Sequence, residues 1–576
     1  MMTGSLLALL LAASAPAETV RNPGAFIYAA IGEPVSLDPV QPYDAVSPGL
    51  TFNVYDTLLA FESETNDAIS PRLATAVPSL KNGLLSKDGR AYAFPIRKGV
   101  VFHDGRPLRP DDVRYSLMRF MLADPAGGPA SLLLDPILGL QSTRDASGKL
   151  QVRFGDVERA VRVDGDKVVV TLKEPFGPFL SIMARWSYVM SREWAKEHGE
   201  WDGTAATWEA FNNPPRERSY FFDHMNGTGP FELERWDRSG RRVYLKRAPR
   251  YWGKPARLER VVMATVPEFA TRKLMLEAGD ADLIEVPRPF LRQLEGLAGV
   301  RVADKLPRLM TDPALFFTLK INPEANPDIG SGKLDGEGIP PDFFADKDLR
   351  KGFAYSFDYE AILRDTFKGT ARRPKGPVPP GLPGHDPKGK HYVLDARKAV
   401  EHLKKAWGGK VWERGFRFTM TYNTGGEARQ TACEILKRGV ESLNPKFRVD
   451  LRGVDWPSFL DKAQGQKMPL FARGWTADYP DAHNFVFPFY HSQGRYPSAQ
   501  RYRNPELDAL IERAARVVDP KAREQLYWKI QALGFDEAPH ILAVHPAGVY
   551  AMRSWVRGFY DNAVFMGILF HPLSKG

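Results

Sequence analysis

The sequence predicts an α/β protein built from two lobes, each with a parallel sheet covered by helices. The chain has 576 residues, which is too long for one compact core. Two separate stretches, 261–286 and 416–475, alternate strand and helix patterns. Because parallel strands are joined by crossover helices, each stretch indicates a parallel sheet of its own.

The first stretch reads as strand, helix and strand. Its strands are “VVMATV” and “ADLIEV”, and the helix between them is “PEFATRKLMLEAGD”. Pro267 is expected to open this helix and Gly279 to close it. The stretch is therefore predicted to form a parallel βαβ unit.

The second stretch repeats the pattern more clearly. Three predicted strands, “FRFTMTYN”, “FRVDLRGV” and “MPLFARGW”, are separated by the helices “EARQTACEILKRGVESL” and “DWPSFLDKAQ”. Apolar positions 428, 432, 435, 436, 440 and 443 fall on one face of the longer helix. The aromatic residues of “WPSF”, and those of “YWG” at 251–253, are expected to pack in the core.

Near the start of the chain, “FIYAAIGEPVSLDP” predicts a strand followed by a turn. The alternation in “YAFPIRKGVVFHDGRP” is typical of a hairpin, with Asp104 and Gly105 suited to its tight turn. “RPDDVRYSLMRFML” predicts a helix that begins at Pro110, with two aspartates at its N-terminus.

The charge pattern argues against nucleic acid as a partner. The formal net charge is +10, but 79 basic residues are interspersed with 69 acidic ones and form no long run. Nucleic-acid-binding proteins usually cluster their basic residues on one face. We therefore expect no nucleic-acid partner.

The N-terminus has the features of a secretory signal peptide. An apolar run, Leu6 to Ala13, precedes the small-residue cleavage signal Ala15-Pro16-Ala17, which predicts a signal peptide at residues 1–17. The run is too short to span a bilayer. The only cysteine, Cys433, lies deep in the chain, so no cysteine after the signal could carry a lipid. We expect a periplasmic protein that is not a lipoprotein.

Two strand ends in the second stretch are candidates for a ligand site, because ligands of open α/β sheets collect at the carboxyl ends of the strands. One end is the turn formed by Tyr422, Asn423, Thr424 and Gly425, which leads directly into a helix N-terminus. Free amide groups at a helix N-terminus attract carboxylates or phosphates.

The other strand end places an acid, Asp478, between the aromatic residues Trp475 and Tyr479. A carboxylate shielded in this way is suited to a ligand ammonium group. The surrounding “ADYPDAH” is also rich in turn residues, so Asp478 fits a helix cap as well, and Asp481 fits that role too. The pattern leaves both interpretations open.

Several blocks along the chain carry a resemblance to a known family. They are “GEPVSLDP”, “FPIRKGVVFHDGRPLRPDDVRYSLMR”, “GTGPFELERWDRSGRRVYLKRAPRYWG”, “LRKGFAYSFDYEAIL”, “YNTGGEARQ” and “GWTADYPDAHNF”. In this order they resemble the extracellular solute-binding proteins of family 5. These are the oligopeptide-, dipeptide- and nickel-binding components of bacterial ATP-binding-cassette importers.

The resemblance implies a type II-like periplasmic-binding-protein fold with an extra subdomain in the first lobe, described as cluster C-like. Lobe I would comprise 18–314 and 540–576, with the extra subdomain at roughly 57–190, and lobe II would comprise 315–539. The chain would cross between the lobes near Leu315 and return near His540. A ligand is then sealed between the lobes, and the closed form is recognised by the permease.

The resemblance also implies roles for single residues. In peptide-binding members, the aspartate of the “GW-x-x-D” block binds the peptide's α-ammonium, a role that falls on Asp478, with Trp475 as a wall of the pocket. Similar oligopeptide binders carry a basic residue where this chain has Ala472, and Arg473 is displaced by one position onto the other face of the strand.

A second departure lies in the loop after “YNT”, where Ala428 replaces a histidine of some members and stands beside Arg429. Arg473 and Arg429 remain candidates for a ligand carboxylate, but the identity of the carboxylate receptor stays open.

The expected function is capture of a short peptide, or another small cationic or zwitterionic ligand, by a monomeric binding protein without cofactor or metal. A periplasmic peptidase-like enzyme and a carrier of nickel or a metal complex are the alternatives. His483 and His491 lie eight residues apart and do not match the usual spacing of metal ligands. The G-x-S-x-G and H-E-x-x-H motifs of hydrolases are absent from the sequence.

Overall fold

The structure is a computed structural model that describes residues 20–41, 46–61, 63–66, 68–145, 147–517, 519–565 and 567–576. The predicted signal peptide at 1–17 lies outside these residues. The strands are β1 (Ala25–Ala30), β2 (Leu59–Phe61), β3 (Ile69–Pro71), β4 (Ala91–Pro95), β5 (Val161–Asp164), β6 (Lys167–Thr171), β7 (Phe231–Asp237), β8 (Arg242–Arg247), β9 (Arg260–Thr265), β10 (Leu283–Glu285), β11 (Val300–Leu306), β12 (Met310–Phe317), β13 (Phe416–Asn423), β14 (Phe447–Val454), β15 (Leu470–Thr476), β16 (His540–Leu542), β17 (Gly548–Arg553), β18 (Val556–Arg557) and β19 (Ser574–Lys575).

The α-helices are α1 (Ser47–Val54), α2 (Pro110–Ala123), α3 (Ser131–Leu138), α4 (Phe154–Ala160), α5 (Phe179–Trp186), α6 (Arg192–Glu197), α7 (Phe269–Ala278), α8 (Lys347–Ser356), α9 (Tyr359–Ala361), α10 (Ala396–Lys405), α11 (Lys410–Arg414), α12 (Glu427–Glu441), α13 (Trp456–Gln464), α14 (His483–Tyr490), α15 (Arg495–Gln500), α16 (Pro505–Arg516) and α17 (Pro520–Glu537).

The first sheet has the strand order β11-β17-β10-β1-β9-β8-β7. β1 pairs in parallel with β9 on one side and β10 on the other, and α7 connects these two, so the predicted βαβ unit is confirmed. Gly279 caps α7 at its C-terminus with φ +74°. The helix begins at Phe269 rather than Pro267, because Glu268 is still extended.

The segment predicted as an extra subdomain contains the β2–β3 ribbon, the β4-β6-β5 sheet and helices α2 to α5. The predicted hairpin is wrong in its pairing, because β4 pairs antiparallel with β6 and not with the segment that follows it. The tight turn itself is present. Phe102 N donates to Arg106 O at 2.8 Å, and Gly105 has φ +90°.

The second sheet has the order β14-β13-β15-β12-β16. β13 pairs in parallel with β14 and with β15, so the predicted βαβαβ run is confirmed. β12 lies antiparallel to both β15 and β16 and completes the sheet. The chain passes between the two sheets immediately before β12 and immediately after β16.

The two passages lie side by side. The chain leaves β11 of the first sheet and enters β12 of the second within 307–309, and it returns from β16 to β17 within 543–547. Leu315 pairs with Ile541 in the strands next to the passages. The predicted lobe boundaries, 314/315 and 539/540, lie in or next to these two strands and stay a prediction.

Side-chain alternation along β15 decides which residues face the site. Phe471 packs in a core that also includes residues of the extra subdomain, whereas Ala472 packs in the core of the second lobe, which also contains Cys433. Since successive strand residues point to opposite faces, Arg473 shares the face of Phe471.

Candidate functional site

The candidate site lies at the carboxyl edge of the second sheet. β13 ends at Asn423 and β15 ends at Thr476, and the two strands are parallel, so both ends meet at this edge. The antiparallel strand β12 begins here as well, with Thr311 opposite Trp475. The structure thus brings both predicted strand ends together.

An ion pair fixes the middle of this edge. Arg429 Nε and Nη2 donate to the two carboxylate oxygens of Asp312 at 2.9 Å each, and Nη1 donates to Asn423 Oδ1 at 2.8 Å. Burial opposes the charge, but the Asp312 carboxylate raises the pKa of Arg429 above its ordinary value. Arg429 therefore already joins α12, β13 and β12, and ligand contact by Arg429 stays a prediction.

Asp312 reaches this position because β12 bulges opposite Gly474. The register of β12 against β15 shifts between Thr311 and Ala314. A Cβ at Gly474 would lie 2.2 Å from Asp312 Cγ, so only glycine leaves room for the carboxylate. The glycine of the “GW” pair thus allows the close approach of the ion pair.

Arg473 differs from its neighbour Arg429. Its guanidinium carbon lies 5.2 Å from the ring centre of Trp456 and 5.7 Å from that of Tyr496, a cation–π arrangement. Burial lowers the pKa of Arg473 to about 10, so the group remains protonated at neutral pH. Among the residues that the structure describes, no carboxylate forms an ion pair with it.

The expectation that the “WPSF” aromatic residues pack in the core is wrong for Trp456, which is 40% exposed and begins α13 at this edge. Phe459 is buried as expected and stacks on the Trp456 ring at 5.5 Å. The “YWG” tryptophan, Trp252, packs against the core and donates to Asp56 at 2.8 Å.

The turn after β13 is held more firmly than the sequence suggests. Thr424 N and Oγ1 both donate to Val454 O, at 2.8 and 3.0 Å. Gly425 has φ +81°, and Gly426 N donates to Asn423 O at 3.1 Å, which closes the turn before α12. Tyr422 is half-buried beside this turn.

Asp478 lies just beyond the end of β15 and is half-buried. The buried Asn484 holds it twice: Asp478 N donates to Asn484 Oδ1 at 2.8 Å, and Asn484 Nδ2 donates to Asp478 Oδ2 at 3.1 Å. The indole of Trp475 donates to the same Oδ1 at 3.2 Å. Asn484 therefore orients both residues of the predicted pocket.

The extra subdomain reaches this acid. Trp186 Nε1, at the end of α5, donates to the backbone carbonyl oxygen of Asp478 at 2.8 Å. Two further contacts join the same parts of the molecule: the ring of Phe176 lies 5.2 Å from that of His483, and Gly177 N donates to Ala515 O. Asp478 thus lies where the extra subdomain meets the second lobe.

Asp481, the other acid considered for a helix cap, lies one residue before Ala482, the N-cap residue of α14. Asp481 Oδ1 accepts from His483 N at 2.8 Å, and its carboxylate forms an ion pair with Arg523 at 2.6 and 2.7 Å. This arrangement occupies Asp481 within the second lobe.

The two histidines considered for metal binding have other contacts. His483 Nδ1 lies 3.0 Å from Tyr479 Oη, and burial lowers the pKa of His483 to about 4. His491 lies 3.5 Å from Glu512. Within the described ranges, no group of three or more His, Cys, Asp or Glu side chains is arranged to hold a metal ion.

Sequence reasoning missed four contributors to this site: Asp312, Tyr496, Asn484 and Trp186. Asp312 has a local signal, since an Asp-Pro pair within a strand indicates a bulge. Asn484 stands six residues after Asp478 at the start of a helix, a spacing that suits a side chain turned back to the preceding loop. Tyr496 and Trp186 come from distant elements and have no local signal.

Two α/β sheets joined by two chain passages, with charged and aromatic side chains at the carboxyl edge of the second, define a two-lobed ligand-binding protein. The profile described as bacterial extracellular solute-binding proteins, family 5 Middle, matches residues 68–497. The chain belongs to this family, and the predicted fold class is confirmed.

Known proteins similar to this chain span nearly its whole length. The oligopeptide-binding protein OppA of Bacillus subtilis (strain 168) is 25% identical over 555 residues, covering 93% of this chain and 89% of that protein. The dipeptide-binding protein of Escherichia coli (strain K12) is 25% identical over 580 residues, covering 96% and 94%. The solved structure of the periplasmic binding protein DppA from Helicobacter pylori, in complex with the peptide STSA, has a TM-score of 0.72 at 23% identity, covering 96% and 98%.

Of the helices within the described ranges, none is both long and apolar enough to cross a lipid bilayer.

Proposed function

We propose that this protein captures a short peptide between its lobes and delivers it to the permease of an ATP-binding-cassette importer. It acts as a monomer in the periplasm, after removal of the signal peptide at residues 1–17. The names of the relatives support this proposal, since OppA and the dipeptide-binding protein are named for peptide ligands.

The observation that carries the proposal is the guanidinium of Arg473, shielded between Trp456 and Tyr496 and without an ion-pair partner among the described residues. A buried charge is unfavourable unless it is paired. A ligand carboxylate would supply the partner and form a charge-assisted bond.

Asp478 supplies the opposite charge just beyond the end of the same strand, five positions further along the chain. Its carboxylate would accept from the α-ammonium of the peptide, with Trp475 as the wall of the pocket. A peptide with free ends carries both charges, so it fits this pair better than a simple amine or an anion does.

The protein is proposed to bind its ligand without altering it. Its matched relatives are named as binding proteins, which supports this proposal. A peptidase-like enzyme and a carrier of a metal complex remain the competing functions.

One experiment separates the three. The purified protein is incubated with a mixed library of di- to pentapeptides, and the retained material is identified by mass spectrometry. Intact peptides with free ends support the proposal. Cleavage products would show an enzyme, and retention of a chelated metal instead of peptides would show a metal-complex carrier.

A further inference from the structure

The carboxyl edge of the second sheet carries more positive charge than its carboxylates balance. Three arginines contribute: Arg429 on α12, Arg473 on β15 and Arg495, the first residue of α15. Of these three, only Arg429 forms an ion pair with a carboxylate among the described residues, that of Asp312. Two guanidinium groups of this set are therefore left without a carboxylate partner in the described part of the chain.

Arg495 is placed at this edge by its neighbour Tyr496. The Tyr496 ring lies 3.9 Å from that of Phe316, and its hydroxyl donates to Gly474 O at 2.5 Å, so the start of α15 is fixed beside β15. Burial is the main cause of the lowered pKa of Arg473, and the positive charge of Arg495 lowers it further. Burial raises the pKa of Tyr496 to about 12, and Arg495 is among the charges that oppose this rise. The two guanidinium groups without a carboxylate partner are thus close enough to repel each other.

The arginine cluster is open to a ligand. The ring of Trp456, whose centre lies 5.2 Å from Arg473 Cζ and 5.8 Å from Arg429 Cζ, is 40% exposed. The Arg473 guanidinium makes no hydrogen bond to another described residue, yet its nitrogens are not sealed from solvent. Arg495 is exposed. A ligand at this edge can therefore reach both Arg473 and Arg495.

We propose that this edge selects peptides whose last residue is aspartate or glutamate, and that Arg495 determines this specificity. The inference rests on the proposed function, since it concerns the same site. The α-carboxylate of the last residue binds Arg473, and the side-chain carboxylate of that residue binds Arg495. Such an end brings one negative charge to each guanidinium that lacks a partner, and complementary charges of this kind give specificity. A neutral last residue leaves Arg495 without a partner.

Two pairs of unblocked alanine peptides, of the length that the library experiment identifies, test the inference by isothermal titration calorimetry on the full mature protein. One pair ends in Glu or Gln, which have nearly the same shape and differ by one charge, and the other pair begins with Glu or Gln. We expect the peptide that ends in Glu to bind about three- to tenfold more tightly than the one that ends in Gln, a modest gain because Arg495 is exposed. The peptide that begins with Glu should bind no more tightly than the one that begins with Gln.

The outcomes separate this inference from the proposed function. Equal affinity for the peptides that end in Glu and in Gln would overturn the inference and leave the proposed function standing. Retention of no peptide from the library would overturn both.

A matched pair of variants assigns the effect to Arg495. Arg495→Gln should abolish the preference for Glu at the last position, and the fold should stay intact because Arg495 has no ion pair among the described residues. Arg503→Gln removes the same charge from another exposed arginine of the second lobe and should keep the preference. If Arg495→Gln keeps the preference, or if both variants lose it alike, Arg495 is not the residue that selects the acidic end.

Discussion

The indole nitrogen of Trp186 lies 2.8 Å from the backbone carbonyl oxygen of Asp478, although the two residues are 292 positions apart. Trp186 belongs to the extra subdomain and Asp478 to the second lobe. The residue proposed to bind the peptide's ammonium group is therefore held from both sides, by Asn484 within its own lobe and by Trp186 from the other.

Replacing Trp186 by phenylalanine should weaken peptide binding about three- to tenfold. The substitution removes one hydrogen bond between the extra subdomain and the second lobe, at the residue proposed to bind the ammonium group. Isothermal titration calorimetry measures the change. Trp201→Phe is the matched control, since Trp201 Nε1 donates to Thr204 O at 2.9 Å within the first lobe. Equal losses in the two variants would show that the effect of Trp186 is merely structural.

Asp478→Asn should weaken binding of a peptide with a free N-terminus about tenfold or more, since a hydrogen bond to a charged group contributes about 1.5–3 kcal/mol. The substitution keeps the shape of the side chain, and its carbonyl oxygen still accepts from Asn484. An N-acetylated version of the same peptide should bind both proteins equally. Unchanged affinity for the free peptide, with the fold intact, would remove Asp478 from the site.

Arg473→Met should weaken binding of a peptide with a free carboxylate about tenfold, while the C-terminal amide of that peptide loses little. The stability of the fold should not fall, because among the described residues no carboxylate loses an ion-pair partner through this substitution. Calorimetric titration tests the predicted loss of binding, and thermal unfolding tests the predicted stability. A large loss of stability without a change in binding would assign Arg473 a structural role.

Arg429→Met, in contrast to Arg473→Met, should lower the stability of the fold. It leaves the half-buried Asp312 without its partner, which we expect to lower the free energy of unfolding by about 1–3 kcal/mol. Denaturant unfolding of the two methionine variants side by side gives the comparison. Stability equal to that of the wild type would contradict the structural role of this ion pair.

The protein should lose stability in acid through its buried histidines. Burial lowers the pKa of His540 and of His545 to about 3, below the ordinary value of 6.5. Between these pH values the unfolded chain binds more protons than the folded one, so the free energy of unfolding falls as pH decreases from about 6.5 to 3.

For each such histidine, the slope approaches about 1.4 kcal/mol per pH unit. His540→Phe should reduce the slope measured by denaturant unfolding at several pH values. The exposed His391, changed to asparagine, is the control and should leave it unchanged. If His540→Phe and the wild type have the same slope, His540 is not held neutral by burial.

Much of the fold was predictable because its strands and helices follow local patterns. The βαβ unit around α7 and the run from β13 to β15 needed only periodicity and cap residues. The hairpin at β4 was mispredicted because its partner, β6, comes some seventy residues later, beyond any local signal.

The candidate site was predictable in part for the same reason. The position of Asp478 follows from the end of a predicted strand, and the opposite faces of Ala472 and Arg473 follow from the alternation of side chains. What surrounds Arg473 could not be predicted, since Trp456 and Tyr496 come from α13 and α15 and meet it only in the folded protein. Tryptophan is a residue type expected in the core, but the position of Trp456 at the first turn of α13 leaves it partly exposed.

The central claim is tested most directly by a crystal structure of the protein with an unblocked tripeptide. The account predicts the ammonium nitrogen about 2.7–3.1 Å from a carboxylate oxygen of Asp478, and the peptide carboxylate bonded to Arg473. A peptide bound with both charged ends away from these two residues would contradict it.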